Sequence, residues 1–160
     1  MAVKEILYAT DYSEASKAAL VVATSLARQS GATLLIVHVS DREQYPVGEL
    51  FDENSQPDKE ELSALKAVVP ADSQVLFEHR LLYGEPCSTA TVRPADEILK
   101  LAKEENVEAI VMGTHGRSEL ARLLMGNVAE SVVRHALCRV ITVSHPDIRW
   151  QVASVAALPL

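Results

Sequence analysis

Three glycines in the second half of the chain have a spacing that suits the binding of an anion. Gly113 and Gly116 follow the aliphatic run 109–111, and Gly126 lies ten residues further on. Glycine has no Cβ, so a ligand or another segment of chain can come very close to the backbone there. The N–H groups of such a loop can converge on a phosphate, and the helix that Asn127 opens adds its own positive end. The spacing therefore predicts a phosphate-binding loop.

Other interpretations of this segment stay open. The chain contains neither G-x-x-x-x-G-K-[ST] nor G-x-G-x-x-G, the common phosphate-binding motifs, and the glycines could serve tight turns and packing alone. His115 lies inside the loop, but the spacing fixes no catalytic partner beside it. A histidine that is exposed or that orders the loop is therefore favoured over an acid–base catalyst.

The elements that must position this loop begin with a short apolar run. Residues 6–9 predict a buried strand that is closed by Asp11. Ser13 can cap the following helix, whose alanines repeat at helical spacing up to a stop at Gly31. The run 33–39 is almost continuously aliphatic, which is typical of a parallel strand covered on both faces.

The alternation of strands and helices continues to the end of the chain. Further strands are predicted at 75–82, 107–112 and 139–144, and further helices at 61–69, from Pro94, and at 127–137. Residues 41–60 lose periodicity and are interpreted as a long surface loop. This order favours an α/β fold with a mostly parallel sheet, whose ligands bind at the carboxyl ends of the strands. His38, inside the second strand, is interpreted as a hydrogen-bonded core histidine.

Composition limits the classes of function. A chain of 160 residues suits one domain, and 48% hydrophobic with 23% charged residues is ordinary for a globular protein. The net charge of -7 works against nucleic acid as a partner. Cys87 and Cys138 are isolated, so no zinc site or disulfide framework is indicated. With no signal segment and no long apolar run, we expect a cytoplasmic protein with no membrane partner.

These motifs together resemble the universal stress protein family over residues 3–144. The resemblance rests on ILYATDYSEAS, LLIVHV, Gly84-Glu85-Pro86 and the three glycines. The nucleotide-binding branch of that family has G-x2-G-x9-G followed by serine or threonine, and the glycine spacing here is the same. The resemblance implies a single-domain, open α/β fold over residues 1–145. Its five parallel strands would have the order 3-2-1-4-5, with helices on both faces.

The resemblance also implies a ligand, ATP or AMP, with or without Mg²⁺. The adenine and ribose would be surrounded by Ala9, Thr10, Asp11 and Val39, with the Asp11 carboxylate accepting a hydrogen bond from a ribose hydroxyl. The phosphates would be held by Met112, Gly113, Gly116, Gly126, Asn127 and Val128. Arg117 would either reach a γ-phosphate or face water, and Asp11 could instead serve only to orient the first helix. Two copies would pair through the last strand, Val140 to Val143.

Three features depart from the family pattern. Asn127 stands where the nucleotide-binding branch has serine or threonine, although an amide can donate a hydrogen bond and can cap a helix. The segment 87–96 is longer than the link expected between the third strand and the third helix. Residues 146–160 form an apolar extension, which we expect to pack on the body of the protein or on a partner subunit.

Three functional hypotheses follow. The first is an adenine-nucleotide-binding regulatory module of the stress response, dimeric and acting on an unknown client protein. The second is a slow ATP hydrolase, against which stands the lack of a clear catalytic base or magnesium carboxylate pair near the loop. The third is a structural or interaction subunit whose pocket is spoiled by Asn127 and the segment 87–96. The intact glycine spacing favours the first.

Overall fold

A computed structural model describes residues 3–40, 59–83, 93–114, 127–144 and 154–156. In chain order the elements are β1 (Glu5–Ala9), α1 (Glu14–Ser30), β2 (Thr33–Val39), α2 (Lys59–Lys66), β3 (Phe77–Leu82), α3 (Pro94–Glu104), β4 (Ala109–Gly113), α4 (Asn127–His135), β5 (Arg139–Val143) and β6 (Ser154–Ala156). Of the predicted loop 41–60, residues 41–58 lie outside the described residues, and the loop prediction is wrong for residues 59–60, because they open α2. Of the segment 87–96, residues 87–92 lie outside the described residues, and residues 94–96 form the first turn of α3. Also outside the described residues are His115, Gly116, Arg117 and Gly126.

The strands form one sheet in the order β3-β2-β1-β4-β5-β6. Strands β1 to β5 are parallel, which confirms the predicted α/β class and the order 3-2-1-4-5. The sixth strand was not predicted. It runs antiparallel to β5, with Thr142 opposite Ser154 and Val140 opposite Ala156. The outer edge of β5 is therefore paired with a strand of the same chain.

Both faces of the sheet are covered by helices. Along β1, Leu7 and Ala9 join a core with α3 and α4, while Ile6 and Tyr8 join a second core with α1 and α2. Successive side chains of a strand point to opposite faces, so a strand that is buried on both sides is apolar at nearly every position. In β2, Leu35 and Val37 join the first core, and Leu34 and Ile36 join the second. The prediction of a doubly covered strand at 33–39 is thus confirmed.

Helix α1 begins after Ser13 and ends at Gly31, as predicted. The Ser13 hydroxyl accepts a hydrogen bond from the Ser16 N–H, and Gly31 ends the helix in the left-handed conformation with φ of 70°. The side of the helix that faces the sheet is built from small residues, chiefly Ala15, Ala19, Ala23 and Ala27, all buried. Small side chains allow the helix axis to lie close to the sheet.

Several predicted bounds differ by up to three residues from those in the structure. Helix α2 ends at Lys66 rather than at Val69. Pro70 has no N–H to donate to the Lys66 carbonyl, and it disfavours a helical conformation at Val69. Strand β3 begins at Phe77 rather than Val75. Among the described residues, no helix is long and apolar enough to cross a membrane.

Charged side chains gather near the amino ends of the strands. Arg80 Nη2 lies 3.3 Å from Glu78 Oε2 and 3.8 Å from Glu105 Oε1. Burial raises the pKa of Glu5 above its usual value, and the negative charges of Glu105 and Glu78 raise it further, while Arg80 acts in the opposite direction. The ionised form of Glu5 is therefore disfavoured by folding.

Replacing Glu5 by glutamine is expected to stabilise the protein at neutral pH. A raised pKa in the folded state contributes stability below the unfolded pKa, and that contribution is lost as the pH rises through the folded value. Glutamine resembles the protonated acid at every pH. The Tm of Glu5→Gln, measured by calorimetry, should exceed that of the wild type at about pH 7, and the difference should shrink toward about pH 4.

The matched control is Glu60→Gln. Glu60 is exposed in the first turn of α2, where a negative charge favours the helix. This variant should be no more stable than the wild type at either pH. A gain for Glu5→Gln that is equal at both pH values would contradict the electrostatic explanation.

Candidate functional site

The carboxyl ends of three central strands meet where the strand order reverses. Strand β1 lies between β2 and β4, with Ala9 opposite Val37 on one side and opposite Met112 on the other. This is the position at which open α/β sheets bind their ligands. The sequence-predicted residues that the structure brings to this edge are Ala9 at the end of β1, Thr10 and Asp11 directly after it, Val39 from β2, and Met112 and Gly113 from β4.

The remaining predicted residues are only partly described. Asn127 is exposed at the first position of α4, and Val128 is half-buried against the core that contains α3 and α4. No contact between these two residues and the Asp11 segment is described. Gly116, Arg117 and Gly126 lie outside the described ranges, so their part in the site stays a prediction.

Asp11 holds the start of α1. Its Oδ1 accepts a hydrogen bond from the Ser13 N–H at 3.0 Å and another from the Ser16 hydroxyl at 2.6 Å. The Asp11 N–H in turn donates to Ser16 Oγ at 3.2 Å, and the Tyr12 N–H donates to Thr10 Oγ1 at 3.0 Å. These bonds give Asp11 the helix-orienting role that the sequence offered as an alternative. Its role toward a ribose stays a prediction.

The same turn is contacted from the sheet by His38. The imidazole is 6% exposed, and its Nδ1 lies 2.7 Å from the carbonyl oxygen of Thr10. The prediction of a hydrogen-bonded core histidine is confirmed. The ring of Tyr12 packs on the imidazole with centroids 4.6 Å apart, and Tyr12 has φ of 65°, a left-handed conformation that bulky residues rarely adopt.

Gly113 is required by the packing of α1. A Cβ at this position would lie 2.9 Å from Ala15 Cβ and 3.0 Å from both Ala15 C and Ser16 N. Two of these three neighbours are backbone atoms, which cannot move aside cheaply. The first turn of α1 therefore comes close to the end of β4, and this contact by itself explains a glycine at 113.

Two buried polar groups at this edge were missed by the sequence analysis. Ser40, which is fully buried directly after β2, places its hydroxyl 2.8 Å and 3.0 Å from the two carboxylate oxygens of Glu61. This contact ties α2 to the carboxyl end of β2. After β4, the Thr114 N–H donates to the Val143 carbonyl at 2.9 Å. The only sequence signal was a hydroxyl residue directly after an apolar strand.

Polar groups at the described edge are engaged in hydrogen bonds. Burial raises the pKa of Tyr8 to about 12, so its hydroxyl stays protonated and donates to the Ser16 carbonyl at 2.6 Å. Within the described part of the chain, no group of three histidine, cysteine or acidic side chains could hold a metal ion. The described edge carries the hydrogen-bonded carboxylate of Asp11 and two small residues, Ala9 and Gly113.

Comparison with known proteins identifies the family of this chain. The model of the universal stress protein family matches residues 2–144. The chain belongs to the universal stress protein family. A Staphylococcus aureus (strain USA300) protein assigned to this family is 37% identical over 145 residues, which cover 88% of this chain and 83% of the relative.

Solved structures of other proteins share the fold. The structure of MJ0577 has a TM-score of 0.66 at 28% identity, covering 90% of this chain and 97% of that one. The universal stress protein from Archaeoglobus fulgidus in complex with dAMP has a TM-score of 0.62 at 26% identity, covering 89% and 99% of the two chains. A universal stress protein of comparable fold thus binds an adenine nucleotide.

Introducing a methyl group at 113 tests how closely α1 is seated. Gly113→Ala should lower the free energy of unfolding by about 1–3 kcal/mol, because the Cβ would overlap backbone atoms of α1. Urea denaturation measures the change. Adding Ala15→Gly removes only one of the three close contacts, so the double variant should recover part of the loss. Unchanged stability in Gly113→Ala would contradict the close seating of the helix.

Proposed function

We propose that this universal stress protein is a cytoplasmic regulatory module that binds an adenine nucleotide, ATP or AMP. The observation that carries the proposal is the meeting of Thr10 and Asp11, Val39, and Met112 and Gly113 at one edge of the sheet. This is the edge at which α/β sheets of this kind bind ligands. The dAMP complex of the Archaeoglobus fulgidus relative supports the choice of adenine.

The nucleoside half of the ligand would lie between β1 and β2. Ala9 and Val39 would offer small apolar walls to a base, and the Asp11 carboxylate would offer an acceptor beside them. The Asp11 carboxylate is already held by Ser13 and Ser16, so a ribose hydroxyl would donate to an acceptor that needs no further ordering. Pre-ordering of this kind reduces the entropy lost on binding.

The phosphates would extend toward α4. The proposed ligands there are Met112, Gly113, Gly116, Arg117, Gly126, Asn127 and Val128, with or without Mg²⁺. The N-terminus of α4, a helix of nine residues, favours negative charge, and glycines allow phosphate oxygens to reach main-chain donors. Asn127 would replace a hydroxyl donor by an amide donor.

Binding without rapid turnover would serve regulation. A nucleotide changes the affinity for a client protein only if it binds two states of the module differently. The described edge supplies fixed acceptors rather than a base poised beside a nucleophile, so any hydrolysis of ATP should be slow.

Thermal unfolding in the presence of nucleotides tests the proposal. Millimolar MgATP or AMP should raise the Tm by several degrees, because a ligand at about 100 times its Kd stabilises the folded state by about 2.7 kcal/mol. GTP should have little effect. Gly126→Asp should abolish the shift by adding bulk and negative charge where a phosphate would lie.

The matched control adds the same side chain at the amino ends of the strands, opposite the proposed site. Gly31 ends α1 just before β2 begins. Gly31→Asp should lower the Tm, since φ there is 70°, but it should keep the nucleotide-induced shift. Equal shifts in the wild type and in Gly126→Asp would remove the phosphate loop from the proposal.

Assembly is the second part of the proposal, in which two copies pair through β5 over Val140 to Val143. An exposed strand edge carries unpaired N–H and C=O groups that a second copy can use. In the single chain β6 pairs with this edge, as part of the apolar extension 146–160. Pairing of two copies would therefore require β6 to leave β5.

Proline substitutions at two neighbouring positions of β6 test whether β6 and a second copy compete for β5. Alternate N–H groups of an edge strand point toward and away from the sheet, so only one of Val155→Pro and Ala156→Pro removes a donor to β5. That variant should shift the monomer–dimer equilibrium toward the dimer in sedimentation experiments, and the other should resemble the wild type. A loss of dimer in the disrupted variant would instead make β6 part of the interface.

A further inference from the structure

His38 is a polar side chain in an otherwise aliphatic strand. It lies in β2 between Val37 and Val39, both buried, and is itself almost fully buried. A polar group in such a place lowers stability unless it is hydrogen-bonded. Its Nδ1 lies 2.7 Å from the Thr10 carbonyl oxygen. A carbonyl can only accept, so Nδ1 carries the hydrogen in this bond.

This bond connects β2 to the turn that follows β1. Strand β1 ends at Ala9, and the Thr10 N–H still donates to the Val37 carbonyl at 2.8 Å. The imidazole of the next residue in β2 then binds the Thr10 carbonyl. Both polar backbone groups of Thr10 are thus held by neighbouring residues of one strand. The peptide that leads into Asp11 is fixed in orientation as a result.

Tyr12 adds a second contact between the same turn and the same imidazole. Its ring centroid lies 4.6 Å from that of His38, with the planes tilted by 42°. Its left-handed backbone conformation, with φ of 65°, persists only when the surroundings hold it. His38 therefore contacts the turn on both sides of Asp11.

We infer that His38 is a positioning residue for the adenine-nucleotide site, holding the turn Thr10–Tyr12 so that Asp11 meets the ribose. The inference rests on the proposed function. The imidazole acts through the Thr10 carbonyl and the Tyr12 ring, and it does not touch the nucleotide. Losing it would leave the Thr10–Asp11 peptide held only through the Asp11 N–H, which donates to Ser16 Oγ. Part of the binding free energy would then be spent on reordering the turn.

His79 provides a matched comparison for a purely structural role. It lies half-buried in β3, and its Nε2 is 2.7 Å from the Val68 carbonyl oxygen. The bond has the same type and length as that of His38, but it joins β3 to the segment after α2. None of the proposed nucleotide ligands takes part in it.

The experiment measures AMP and ATP affinity by titration calorimetry well below the Tm. His38→Leu keeps apolar volume and removes the donor, and we expect roughly fivefold to tenfold weaker binding. His38→Asn places an amide nitrogen where Nδ1 was, so it should restore affinity to within about twofold of the wild type despite the lost ring. His79→Leu should lower the Tm while leaving affinity within about twofold.

The outcomes separate this inference from the proposed function. If the wild type binds no adenine nucleotide, the proposed function fails, and the positioning role fails with it. If the wild type binds and His38→Leu binds equally well, only the role of His38 is overturned. Nitrogen NMR of the imidazole is an independent check, since a hydrogen on Nε2 instead of Nδ1 at neutral charge would also overturn it.

Discussion

The close approach of the first turn of α1 to the end of β4 is the constraint on which the edge of the sheet depends. It requires Gly113, since a Cβ there would overlap Ala15 and Ser16. Once the turn is seated, the Ser16 carbonyl can accept from the Tyr8 hydroxyl, and the Ser16 hydroxyl can donate to Asp11. A steric contact thereby determines where a carboxylate is held.

That carboxylate is fixed from two directions. On the helix side it accepts hydrogen bonds from Ser13 and Ser16, and on the sheet side His38 binds the carbonyl of the preceding residue, Thr10. Groups that stabilise a fold and groups that prepare a binding site are often treated as separate sets. Under the proposed function the same hydrogen bonds serve both, because the start of α1 and the proposed ligand edge occupy the same few residues.

The sequence predicted what depends on local chemistry and on periodicity. Ser13, Gly31 and the burial of His38 were identified because caps and aliphatic strands have short-range signatures. The hydrogen bond between Ser40 and Glu61 joins residues that are 21 positions apart. A local sequence pattern does not predict such a contact. The three-residue β6 was missed for a related reason, since pairing with β5 rather than its own composition makes it a strand. At the proposed site, the sequence named Asp11 and Gly113 and offered helix orientation and packing as their alternative roles, but it did not name Ser16 and Ala15 as the residues they contact.

The alanine-built face of α1 also has an evolutionary consequence. Ala19 and Ala23 are fully buried against the sheet, whereas Val21 on the opposite side is 71% exposed. A larger residue on the inner face would push the helix outward, and the turn around Asp11 would move with it. Mutational tolerance along this one helix is therefore strongly one-sided. Sequence drift can accumulate on its outer surface while the inner surface stays confined to the smallest side chains.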